Sequence, residues 1–136
     1  MSSPGAEKWA SARPPVLVID DISSESDVTV AALGDAGFAS VAESKGDAAL
    51  KHARNSLTRL VVSELYVPCA EGACVVTALK SDRHRLPRLQ VLVHTRHTTA
   101  ADTDWALAAG CDALVPKGVS AAVLIREVRR LEGFAA

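Results

Sequence analysis

No surplus of charge of either sign marks this chain: fifteen Lys and Arg stand against sixteen Asp and Glu, for a formal net charge of -1. Proteins that grip the phosphate backbone of nucleic acid carry a basic excess, so nucleic acid is not expected as a direct partner. An uninterrupted apolar run of sufficient length is also missing from the N-terminus. Neither a signal peptide nor a membrane span can be built without one, so the sequence predicts a soluble, cytoplasmic protein with no membrane partner. Cysteine is sparse. Cys69, Cys74 and Cys111 are scattered without a CxxC spacing, and an odd count suits a reducing compartment. They read as buried or incidental thiols and not as a redox or zinc site. Repeats and low-complexity blocks are absent too. With 136 residues, about half of them hydrophobic, one core fits and a second domain does not.

What is present begins after a Ser-, Ala-, Pro- and Gly-rich stretch. Residues 1–14 read as a flexible N-terminal tail running into Arg13-Pro14-Pro15, with residues 15–134 as the domain. Trp9 is the tail's exception, either loosely packed or docked on the domain or a partner. From Val16 onward, short apolar runs alternate with amphipathic stretches, the pattern of parallel strands joined by helices. Strands are predicted at Val16–Asp20, Ala39–Ala42, Leu60–Ser63, Val91–His94 and Ala113–Val115. Three helix starts carry a hydroxyl residue followed three positions later by aspartate: Ser24 with Asp27, Ser44 with Asp47, Thr99 with Asp102. Gly37 and Gly110 stand where helices should end. In the last helix Ala121, Leu124, Val128 and Leu131 recur at helical spacing and predict a buried face, leaving Arg126, Arg129 and Arg130 in water.

Parallel strands with crossover helices all end on one side of the sheet, so residues just past those ends converge on one crevice. The polar outliers lie there. Four strands deliver Asp20 and Asp21, Glu64, Thr95, and Lys117 respectively. Three carboxylates at close range need a cation, a proton or the lysine to relieve their repulsion. Hard oxygen ligands of this kind suit Mg²⁺, and the lysine and hydroxyl could hold phosphoryl oxygens.

In order and spacing, these motifs resemble a response-regulator receiver domain of two-component signalling. The resemblance runs from about Val16 to Leu131 and rests on Asp20-Asp21, Gly37, Glu64 with Pro68 four residues on, Thr95, and the Ala108–Lys117 segment. It implies an α/β, flavodoxin-like three-layer sandwich: a five-stranded parallel sheet in the order 2-1-3-4-5 with five helices. It also implies an acceptor at position 64, Mg²⁺ held by Asp20, Asp21, residue 64 and the backbone carbonyl of Tyr66, and a switch made by Thr95, Lys117 and the residue at position 114. A histidine kinase or a downstream effector would be the partner, through the fourth helix, fifth strand and fifth helix.

Several positions depart from the family pattern. Glu64 stands where the acceptor aspartate is expected, and its extra methylene moves the nucleophilic oxygen by roughly 1.5 Å, enough to cost on the order of a hundredfold in a positioned reaction. The same reach carries the carboxylate toward Lys117 and Thr95, where it would partly mimic aspartyl phosphate. Arg96 replaces a small residue and is expected either to cover the pocket, to pair with Asp21 or Glu64, or to lie solvated. His97 falls two beyond Thr95, where family members tune acyl-phosphate lifetime. Leu114 takes the place of the switch aromatic, and Gly118 that of a proline. His94, inside a strand, reads as a partly packed histidine, and Ser63 should point away from the face of Glu64.

Two functions follow. The first is a phosphorylation-independent pseudo-receiver, not an enzyme, acting as a protein-interaction module. The alternative is a Mg²⁺-dependent phosphoacceptor in a phosphorelay. A phosphatase fits poorly, since no Asp-x-Asp follows the first strand. The sequence stops at Phe134-Ala135-Ala136, which reads as a stand-alone adaptor or a fragment of a larger regulator. Asp102 and Asp104 opposite Arg126, Arg129 and Arg130 suggest a homodimer.

Overall fold

A computed structural model describes residues 13–72 and 74–135, apart from the side chains of residues 134 and 135. Most of the expected tail, Trp9 included, lies outside the described residues. Strands β1 (Val16–Ile19), β2 (Ser40–Glu43), β3 (Leu60–Ser63), β4 (Gln90–Thr95) and β5 (Ala113–Pro116) alternate with helices α1 (Ser23–Asp35), α2 (Gly46–Ser56), α3 (Val75–Ser81), α4 (Ala100–Ala108) and α5 (Ala121–Ala135). All strand pairs are parallel and the order is β2-β1-β3-β4-β5, as the resemblance implied.

Because side chains alternate along a strand, each central strand feeds two cores. Leu17, Ile19, Val61, Val91 and Val93 pack with α2, α3 and α4. Val16, Val18, Leu60, Val62, Leu92 and Val115 pack with α1 and α5. Apolar runs buried on both sides are what a parallel sheet covered by helices requires. The edge strands are less covered: β2 is only partly buried or exposed, and in β5 only Val115 is fully buried.

Helix ends follow the sequence unevenly. Thr99 and Asp102 form the expected capping box on α4, with Thr99 Oγ1 accepting from the Asp102 N–H at 3.1 Å and Asp102 Oδ2 accepting from the Thr99 N–H at 3.2 Å. Ser24 and Ser44 do not cap. Helix α1 starts earlier, with Ile22 as its N-cap, because Asp20 Oδ1 takes the Ile22 N–H at 3.0 Å and turns the chain there. Helix α2 has Lys45 as its N-cap, and the Asp47 carboxylate instead accepts the Ala70 N–H at 2.9 Å. Gly37 and Gly110 do end helices, at φ 91° and 95°, a region open to glycine. On α5, Leu124, Val128 and Leu131 are buried as expected, but Ala121 is exposed and Ile125 takes its share of the core.

One close approach fixes the loop that follows β3. A Cβ placed on Gly46, the first residue of α2, would lie 2.1 Å from the Pro68 carbonyl oxygen. Arg54, near the end of α2, reinforces the same region. Its terminal nitrogens reach Glu71 at 2.8 and 3.0 Å, and its Nε reaches Asp82 at 2.7 Å. One guanidinium thereby ties α2 to both ends of the α3 segment, using the fork geometry that lysine lacks.

Candidate functional site

The carboxyl ends of β1, β3, β4 and β5 bring Asp20, Glu64, Thr95 and Lys117 into one buried cluster. Lys117 Nζ lies 2.6 Å from Asp20 Oδ2 and 2.8 Å from Glu64 Oε2, and its side chain is only 6% exposed. The other oxygen of Glu64 accepts the Thr95 hydroxyl, and Thr95 itself is fully buried. Thr95 Oγ1 also accepts the His97 N–H at 3.0 Å. Both oxygens of Glu64 are therefore engaged by protein groups.

A third carboxylate joins from a position that the sequence reading passed over. Glu25, in the first turn of α1, places Oε2 3.2 Å from Lys117 Nζ. The available signal was its place: an acidic residue opening the helix after β1 sits at the same edge of the sheet as Asp20. Its other oxygen lies 2.7 Å from Arg96 Nε. Arg96 thus pairs with neither Asp21 nor Glu64. Glu64 is already taken by Thr95 and Lys117, and the guanidinium meets Glu25, which it shares with Lys117, from a largely exposed position. Asp21 stays exposed and makes no hydrogen bond or ion pair with a described residue.

The electrostatics follow from this crowding. Burial by itself would lower the Lys117 ammonium, but hydrogen bonds to Asp20 and Glu64 outweigh it and hold the group above the usual lysine value. The hydrogen bond from Arg96, assisted by Lys117, holds the Glu25 carboxyl below its ordinary value. His94 faces the α1 and α5 side with its Nδ1 2.8 Å from the Val115 carbonyl oxygen. That oxygen only accepts, so Nδ1 carries the proton, and burial pushes the imidazole down toward its neutral form.

A second cluster lies beside the first. The Tyr66 hydroxyl donates to Asp102 Oδ1, and its ring meets those of His97 and Trp105 edge-on, at centroid distances of 5.0 and 5.4 Å. The hydrogen bond to Asp102 raises the phenol to about 12. Leu114 packs against the core under α4, and Gly118 turns the chain after Lys117 at φ 93°. Ser63 is buried and donates to the Glu64 carbonyl oxygen at 2.8 Å. The three cysteines are free, Cys74 buried and the others partly so. No described helix is long and apolar enough to cross a membrane.

Residues 16–129 match the family model of the response regulator receiver domain. The chain belongs to that family, a class of two-component signalling modules. Solved structures agree in fold. Over 89% of this chain and 98% of theirs, the receiver domain of the sensor histidine kinase PA1611 from Pseudomonas aeruginosa PAO1, with a magnesium ion coordinated in its active site cleft, is 19% identical with a TM-score of 0.78. The Vibrio cholerae chemotaxis protein CheY4 is 21% identical with a TM-score of 0.75, covering 88% of this chain and 98% of that one. A response regulator from Desulfuromonas acetoxidans is 19% identical with a TM-score of 0.76, covering 88% and 96%. No curated protein matches by sequence.

Proposed function

We propose that this receiver domain works as a phosphorylation-independent interaction module, with Glu64 standing in for part of the aspartyl phosphate. One observation carries the reading. Thr95 and Lys117, the hydroxyl and ammonium that a receiver would turn toward a phosphoryl group, are both spent on Glu64. An acceptor whose two oxygens are so held is a poor nucleophile, because attack would have to break an ion pair and a hydrogen bond in a buried site. The mimicry is partial. A carboxylate offers one charge and two oxygens where a phosphoryl group offers nearly two charges and three oxygens.

The donor set argues against a resident magnesium ion in this arrangement. Of the expected ligands, Asp20 is engaged by Lys117 and the Ile22 N–H, Glu64 is engaged at both oxygens, and Asp21 makes no hydrogen bond or ion pair with a described residue. Among the described residues no three acidic, histidine or cysteine side chains are placed to share a metal. The Lys117 ammonium is the cation of this site, bridging Asp20, Glu25 and Glu64. The Mg²⁺-dependent phosphoacceptor remains the second reading; it is favoured by the magnesium in the cleft of the PA1611 receiver. The partner surface is the α4, β5 and α5 face, which presents the exposed Leu107 together with Asp104, Arg126 and Arg129. A second copy of the chain and a downstream effector are the candidate occupants, in a cytoplasmic setting.

The test is intact mass after incubation with Mg²⁺ and a small phosphodonor. Wild type should gain no phosphate, while Glu64→Asp, which shortens the acceptor and frees Lys117, should gain one. Stable phosphate on wild-type Glu64 would replace this reading with the phosphoacceptor.

A further inference from the structure

The end of the sheet opposite Glu64 carries a feature that the receiver reading leaves unused. The turn from α2 into β3 and the connection from α3 to β4 meet beside the amino ends of those strands. A cavity of about 370 Å³ lies there, lined by Arg59, His84, Arg85 and Arg88 together with Leu86 and Pro87. A second cavity of about 210 Å³ shares Leu86 and Pro87 and adds Lys80 and Arg83. No carboxylate lines either one. In a chain whose net charge is -1, this basic enclave is local.

Two further observations single out the larger cavity. Thr58 lines it and is 3% exposed, yet its Oγ1 has no hydrogen-bond partner among the described residues. A buried hydroxyl without a partner is costly, and this one lies closed off from solvent beside the cations. Leu57, at the rim, holds a left-handed backbone at φ 49° while 65% exposed, a conformation that branched side chains rarely adopt. It closes α2 there as the helix's C-cap.

We propose that this pocket binds a phosphate-bearing small ligand. Planar guanidinium groups match phosphoryl oxygens two at a time. Arg88 makes no hydrogen bond or ion pair with a described residue, and Arg85 meets Asp82 through Nε, which leaves its terminal nitrogens as donors. The volume suits a ligand of about nucleotide size. A polymer would need a basic track continuing across the surface, and the overall charge supplies none.

The experiment is an amide chemical-shift titration of the full, isotope-labelled chain with pyrophosphate, with a nucleoside triphosphate and with a single-stranded RNA. Signals of residues 57–59, 84–86 and 88 should shift saturably with the first two. Arg88→Glu should weaken binding by about tenfold or more, since a charge-assisted contact is lost and a repulsive one gained. Thr58→Val should make the free protein more resistant to urea, because the unpartnered hydroxyl is gone, while the arginines bind as before. Tighter binding of the nucleotide than of pyrophosphate assigns base or ribose contacts, and equal binding assigns the pocket to the phosphate group alone; both support the proposal. It is overturned if those amides do not shift, if Arg88→Glu, folded like wild type, binds unchanged, or if only RNA binds.

Discussion

Tyr66 and Asp102, 36 residues apart in sequence, share a hydrogen bond of 2.5 Å that joins the loop after Glu64 to the first turn of α4. Through Thr95 and His97 the same loop is in contact with the buried cluster. The aromatic missing at position 114 thus has a counterpart on another loop, one that reaches the proposed partner face directly. The chain contains one tyrosine, so its ultraviolet titration is unambiguous. The phenol should stay protonated at pH 10, where an unconstrained tyrosine is half ionised, and ionise only near 12. Asp102→Asn should bring that titration back toward 10. An unchanged titration in the variant would show that Asp102 is not the cause.

Lys117 balances three carboxylates from a nearly buried position. Lys117→Met should therefore cost about 3–5 kcal/mol in urea unfolding at neutral pH, the usual penalty for leaving buried charge uncompensated. Adding Glu64→Gln should recover part of that loss, since one of the repelling charges goes with it. Equal stability of the single and double variants would place the cost elsewhere.

His94 gives a pH dependence whose sign is fixed. Its folded-state pKa lies below the ordinary 6.5, so the unfolded chain binds the proton more readily and acid favours unfolding. The stabilisation is complete above pH 6.5 and is lost as pH falls through the lower, folded value. His94→Gln should flatten the decline of the urea midpoint just below pH 6.5 relative to wild type. Parallel declines would mean that other groups carry it.

The fold was legible because its information is local. β1, β3 and β4 are each runs of Val, Leu and Ile that only a doubly covered strand can bury, and their last residues had to meet at one edge. Thr99 and Asp102 were legible for the same reason, since a capping box is made within four residues. Ser24 and Ser44 misled because distant groups outcompeted them: Asp20 turns the chain before α1, and Asp47 is drawn to Ala70. Glu25 was hidden by distance, its lysine lying 92 positions further along the chain. Arg96 shows the limit most clearly. It shares Glu25 with Lys117 while Asp21 is left without a described partner, a choice settled only in three dimensions.

The contact at Gly46 sets a template for the segment beyond Glu64. With 2.1 Å between a would-be methyl and the Pro68 carbonyl oxygen, even alanine is too large unless the backbone of that loop retreats. The first residue of α2 therefore acts as a gauge block against which the loop carrying Tyr66 is set. A single added carbon there would move the route from Glu64 to α4 without removing any titrating or charged side chain along it.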